Sequence, residues 1–410
     1  MAQVWSPKNA QDVTAAVGDA IASNITLELV GTGSRRSFGR PVEAQVVLDL
    51  SALTGVVDYQ PEELVLTVAP ATPMAELETL LASRRQSLAF EPPDFGPLWG
   101  LAPGLGTIGG CILVGRGGPR RLSAGAPRDH TLGLKGVNGF GQAFGAGGRV
   151  VKNVTGFDLT KLVTGSFGTL CALTELTLKV LPAPEDTATI VLAGLADDQA
   201  ARVMSRALGS PAQVSSAAHL TPETARDSKV AAIAGPATSM TLLRLEGVPP
   251  SIEARSDHLR KLLDGVAPQT LLGLAESLAA WKEIADASFF ARDLATVVWK
   301  LSVPPSAGPT LGYGLATELG GRCYYDWGGG GVWLELPPAA DAHEASVRAM
   351  LETVVGGDGH ATLMRAPAAV RSAVSPFQPL APAVDALTRR VQSQFDPNGL
   401  FNPGRMYGVR

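Results

Sequence analysis

The chain has 410 residues, 45% hydrophobic and 18% charged, with a formal net charge of -4. That length suits two or three domains with real cores, and the lack of a long basic run excludes the electrostatic footprint of a nucleic-acid binder. The three cysteines, Cys111, Cys171 and Cys323, are scattered and no CxxC occurs, which argues against a disulfide framework, a zinc site or an iron–sulfur cluster within this chain.

A helix is expected over residues 9–22, with Val13, Val17 and Ile21 four apart and Pro7 as a plausible start signal. Short strands are expected over residues 26–30, 45–50, 56–59 and 64–68, then a helix over 74–83 with Pro73 in its first turn. Residues 91–127 are dominated by Gly, Pro and Arg, and ordered loops this long tend to be functional. Strands are expected again over 131–138, 142–151 and 170–181. Around 182–186 the text "LPAPED" reads as a linker. Beyond it, helices are expected over 197–208, 251–263 and 271–287, and extended segments over 240–246, 296–303 and 331–336. A last helix near 382–395 leads into a Pro/Gly-rich tail. The fold class is α+β.

The N-terminus has no basic stretch followed by an apolar run, so no signal peptide is expected. No window approaches the roughly 20 apolar residues of a membrane-spanning helix. The cysteine usage fits a reducing, cytoplasmic compartment, and any membrane association is expected only through a partner.

Two glycine loops suggest a ligand. Gly31-Thr32-Gly33-Ser34-Arg35-Arg36-Ser37-Phe38-Gly39 follows a strand. Its glycines permit positive φ and close approach, successive N–H groups make an anion site, and its hydroxyls add donors. A pyrophosphate is the natural guest, although the same pattern suits an ordinary turn. It is neither a Rossmann nor a Walker fingerprint, because Arg occupies position 36, no helical pattern follows, and GK[ST] is missing. The second loop is Pro103-Gly104-Leu105-Gly106-Thr107-Ile108-Gly109-Gly110, which also reads as a glycine-rich helix start. A third block runs Gly147-Gly148-Arg149-Val150-Val151-Lys152-Asn153-Val154-Thr155-Gly156-Phe157-Asp158-Leu159-Thr160-Lys161-Leu162 and continues with Gly165-Ser166-Phe167-Gly168-Thr169-Leu170. A fourth motif is Phe395-Asp396-Pro397-Asn398-Gly399-Leu400-Phe401-Asn402-Pro403-Gly404-Arg405.

In this order the motifs resemble the vanillyl-alcohol oxidase / p-cresol methylhydroxylase (PCMH-type) superfamily, in its glycolate oxidase and D-lactate dehydrogenase branch. With Trp327–Leu334 and Gly359–Arg365, the match is most similar to the family of FAD-binding E subunits of glycolate oxidase. The resemblance implies a PCMH-type two-subdomain FAD-binding domain over 1–182, an α+β cap over 183–375, and a C-terminal helix and tail over 376–410 returning to the flavin. It implies one FAD. No His lies in the 31–39 loop, where some relatives tether the flavin, so the FAD is expected to be non-covalent.

By resemblance, Gly31, Thr32, Gly33, Ser34, Arg35, Arg36 and Ser37 cradle the pyrophosphate. Pro103, Gly104, Thr107, Ile108, Gly109 and Gly110 line the flavin and ribityl chain. Gly125, Arg128, Asp129 and Leu132 lie along the cofactor. Gly168, Cys171 and Ala172 meet the adenine end, and Asn402 and Arg405 approach from the tail. Three departures stand out: Phe167 replaces a usual acidic residue, Cys171 replaces Gly, and residues 138–141 lack the usual Asp-Gly hairpin.

The activity implied is oxidation of a 2-hydroxy acid, glycolate, to glyoxylate. The partners implied are a D-type flavin subunit and an iron–sulfur subunit that takes the electrons. Such chemistry needs a base and a carboxylate-binding cation, best an arginine fork. His360 is the candidate base. Arg365 and Arg405 head the candidate cations, with Arg36, Arg116 and Arg121 behind them, and each of these also suits a structural role. Trp327 and Trp333 suit either a pocket roof or the cap core. The five histidines form no HxH or HxxxH pair, so no metal site is expected. Two other roles stay open: an FAD-bearing assembly or electron-relay subunit, and a stand-alone D-lactate-type dehydrogenase.

Overall fold

The first helix, Ala10–Ser23, starts where Asn9 caps it: Asn9 Oδ1 accepts from the N–H groups of Gln11 (2.9 Å) and Asp12 (3.0 Å). Asn9, expected inside the helix, is therefore its N-cap. The computed structural model describes residues 3–149 and 156–408. The helix buries Val13, Val17 and Ala20 against a three-stranded parallel sheet of Gln3–Trp5, Val46–Asp49 and Leu27–Val30.

The chain then builds a five-stranded antiparallel sheet in the order Val56–Gln60, Val65–Val68, Cys171–Lys179, Thr131–Asn138, Ala143–Gly147. Met74–Ser83 packs Leu77 and Leu81 onto its core, with Pro73 as the N-cap rather than within the first turn. The missing Asp-Gly hairpin is replaced by another device. Asn138 Oδ1 accepts from the N–H groups of Phe140 and Gln142 (both 3.0 Å), an Asx-type turn. Val150 to Thr155 of the third sequence block lie outside the described residues.

The 91–127 stretch is less irregular than its composition suggests. Within it lie the single turn Pro97–Trp99 and the helix Ile108–Val114. Thr107 caps that helix (Gly110 N–H to Oγ1, 3.3 Å), and Gly115 closes it at φ 68°. Gly109 is required by close approach, because a Cβ there would stand 2.7 Å from the carbonyl oxygen of Pro70.

The second half is organised around an eight-stranded antiparallel sheet. Its order is Gln269–Leu272, Asp186–Ala193, Met240–Gly247, Ser216–Leu220, Arg322–Asp326, Gly331–Leu336, Val297–Ser302, His360–Arg365. Two expectations are corrected here. The "LPAPED" stretch is structured at both ends: Leu181–Pro182 pairs with Gln86–Ser87, and Asp186 opens a strand. The helix expected over 271–287 spans Leu274–Asp286, because Thr270–Leu272 pair with the Asp186–Ala193 strand and Gly273 resets the chain.

The halves are joined by buried chemistry. Arg244, from the large sheet, grips Glu91 of the first half with two bonds of 2.6 and 2.8 Å. Phe38 and Phe167 of the first half meet Phe377 at ring distances of 6.0 and 4.9 Å.

Candidate functional site

The loop leaving Val30 turns on Gly33 (φ 76°). Among the described residues, the N–H groups of Thr32, Gly33, Ser34 and Arg35 donate to no protein acceptor. Thr32 Oγ1 donates to Leu105 O (2.5 Å), tying the first glycine loop to the second. Arg35 lies between them. Its Nη2 reaches Pro93 O (3.3 Å), and its Nε is buried with no acceptor. Gly110 lies beside it, a Cβ there standing 3.6 Å from Nε, an ordinary contact. Free backbone donors and an unpaired buried guanidinium nitrogen fit an anion such as a diphosphate.

The cavity at this loop is lined by Gly31–Arg36 together with Thr107, Gly109, Gly110, Asn402 and Arg405. The tail reaches it through Asp396, whose carboxylate accepts from the N–H groups of Leu400 (2.9 Å) and Phe401 (2.8 Å). Asn402 then accepts from Leu29 N–H (2.8 Å) and donates to Phe167 O (2.8 Å). Arg405 donates to Arg35 O (2.6 Å), and burial pushes its guanidinium down to about 10 against the pull of Glu28.

The other sequence-derived residues lie elsewhere. Ser37 does not line this cavity, Pro103 and Gly104 are exposed, and Ile108 sits in the core beneath. Gly125, Arg128 and Asp129 belong to a turn in which Asp129 accepts from Ala126 N–H (2.8 Å). Leu132 is on the following strand. Gly168 (φ 70°) backs onto Asn402, whose Nδ2 lies 2.7 Å from where a Cβ would be. The side chains of Cys171 and Ala172 are fully buried in the cores behind the sheet, and burial pushes the Cys171 thiol up to about 12.

A second cavity of about 730 Å³ is lined by Phe377, whose ring meets that of Phe167, a residue lining the first cavity, at 4.9 Å. Arg116, Arg121, Lys300, Trp327 and His360 line it. Arg116 Nη2 donates to Thr362 Oγ1 (3.1 Å), its Nε is buried with no acceptor, and burial pushes the group down to about 10. Lys300 Nζ lies 3.9 Å from the Trp327 ring centre and 4.6 Å from that of Trp333. Trp327 both lines the cavity and donates Nε1–H to Gly118 O (3.1 Å), whereas Trp333 is buried in the core.

The three residues expected at the chemistry are thus separated. Arg405 is in the first cavity, and His360 is an exposed residue at the rim of the second, where the edge strand begins. Arg365 is in neither and is corrected to a structural role. It pairs with Glu335 (3.0 Å) and donates to Thr296 O, Leu98 O and Phe290 O, so its donors are occupied. Sequence reading missed Lys300. Its one signal was a charge in the middle of the apolar strand Val297–Ser302.

Residues 1–147 match the family model described as an FAD binding domain. Over 393 residues the chain is 30% identical to glycolate oxidase subunit GlcE of Escherichia coli K12, covering 95% of each. It is 31% identical over 203 residues to glycolate oxidase subunit GlcD of Bacillus subtilis, covering 49% of this chain and 42% of that one. The fold matches p-cresol methylhydroxylase with a TM-score of 0.75 at 14% identity, over 99% of this chain and 88% of that one. It also matches alkyldihydroxyacetonephosphate synthase at 0.65 and 15%, over 98% and 76%.

Proposed function

The chain belongs to the family of the FAD-binding glycolate oxidase subunit GlcE, and from that premise we propose that it serves a complex oxidising glycolate to glyoxylate. FAD is its cofactor, in our reading held without a covalent bond. The observation that carries the reading is the cradle: unpaired N–H groups at Thr32 to Arg35 and the unpaired Nε of Arg35, facing the second glycine loop. Thr32, Gly33, Ser34 and Arg35 would hold the diphosphate, and Arg405 would lie over the same cavity. Bound there, FAD supplies a two-electron acceptor.

In this proposal residues 1–182 form the FAD-binding unit, 183–375 the cap and 376–410 the returning tail. The partners are a D-type flavin subunit and an iron–sulfur subunit. No described helix is long and apolar enough to cross a membrane, and any peripheral membrane attachment would come from those partners. The test is a visible spectrum of the purified chain without oxygen, before and after glycolate. Flavin released by acid precipitation, and bleached by glycolate beforehand, is the expected result. Flavin that stays oxidised would assign the chain an assembly or relay role. Failure to bind FAD in the presence of its partners would overturn the proposal.

A further inference from the structure

The second cavity holds three cationic side chains from two separate segments of the chain. Arg116 leaves the glycine-helix segment, Arg121 stands at the mouth, and Lys300 projects from the large sheet. A lysine at a site this buried ordinarily has a carboxylate within bonding reach. Among the described residues, Lys300 Nζ has no hydrogen-bond acceptor, and two indole faces flank it instead. We propose that this cavity is the subunit's own 2-hydroxy-acid pocket, with Arg116 and Arg121 gripping the carboxylate and Lys300 Nζ accepting the hydroxyl proton. The proposal rests on the flavin-dependent reading above and deepens it.

The chemistry balances. The O–H proton of the acid passes to neutral Nζ and makes an ammonium. The hydrogen on C2 would leave with its electron pair to FAD, the two-electron acceptor that the proposed function supplies, and the C–O bond would become a carbonyl. The environment favours a neutral amine near physiological pH. Burial pushes Lys300 well below the ordinary lysine range, Arg116 and Arg121 push the same way, and Asp326, itself pushed up by burial, opposes them. Glu352, His360 and Tyr407 are the other titratable groups lining the space. Asp326 is itself held beneath Trp327 by the N–H of that residue (2.7 Å).

Two measurements on the full chain test this. Glycolate binding is read by calorimetry, and flavin reduction by stopped-flow absorbance across pH. Arg116→Gln with Arg121→Gln should weaken glycolate binding at least about tenfold while flavin content stays unchanged. Lys300→Met should slow reduction by about 10²–10⁴-fold with binding retained, and Lys300→Arg, which keeps charge and bulk, should be equally slow. In the unmodified chain the reduction rate should rise with pH through a midpoint well below that of an ordinary lysine. Asp326→Asn should shift that rise to lower pH, because it removes the charge that holds the proton on Lys300. His360→Asn should leave the rise in place. Unaltered glycolate binding in the double arginine variant, or near-normal reduction in Lys300→Arg, would overturn the assignment. So would flavin that glycolate does not reduce. Loss of flavin itself would instead count against the cofactor reading.

Discussion

The cavity after Val30 presents backbone, whereas the cavity beside Lys300 presents side chains. In the first, the unpaired N–H groups belong to Thr32 to Arg35 of the lining loop, and Arg35, Arg36 and Arg405 are its cations. In the second, positions 116, 121, 300, 327 and 360 converge from four stretches of the chain. Backbone sites need glycines in fixed local order, so they leave a motif. Side-chain sites need only convergence in space, so they do not. A cofactor common to many enzymes sits well in the first kind, and substrate choice, which varies, sits well in the second.

The seam between these regions is where breaking the comparison has the largest effect. Glu91→Ala would strand the guanidinium of Arg244, which is only 2% exposed, and should cost about 3–5 kcal/mol in urea unfolding. A loss below 1 kcal/mol would mean that Glu246, 3.9 Å from Arg244 Nε, and Ser216 Oγ, which accepts from Nε and Nη2, satisfy the charge. Next comes the tail. Asn402→Ala leaves Leu29 N–H and Phe167 O without their partner and should cost about 2–4 kcal/mol, with flavin lost on gel filtration. An unchanged melting temperature would show that the tail is an accessory.

Arg35→Met sharpens the claim that the cradle is mostly backbone. One charge-assisted contact is removed, so FAD affinity should fall about 10–100-fold without disappearing, as measured by fluorescence recovery on reconstitution. Complete loss of binding would mean that the side chain, not the N–H groups, holds the cofactor. The smallest effect is expected for His360→Asn, where an exposed rim position should change glycolate oxidation by less than about threefold, a value set beside the 10²–10⁴ of a true general base.

Legibility in the sequence followed the same division. The helix Ala10–Ser23 was readable because its apolar residues recur every four and Asn9 stands at its start. Strands such as Asp186–Ala193 and Ser216–Leu220 were not. Both are buried along nearly their whole length on both faces, so the alternation that marks a half-buried strand is absent. Ser216–Leu220 also consists largely of small residues with little β preference. At the site, the glycine loops announced themselves, while Lys300 was hidden among Val298, Trp299 and Leu301. Arg365 looked available because its neighbours in sequence are apolar, yet Glu335 and three carbonyls reach it from other segments.

The bond from Leu29 N–H to Asn402 has a consequence for how the protein is made. Its two ends are 373 residues apart, so at roughly 5–20 residues per second the ribosome delivers the second about 20–75 s after the first. Throughout that interval the strand that launches the cradle has already emerged, but the side chain that fastens it has not. The fastening of the cradle is thereby completed only after every described strand of the protein has emerged.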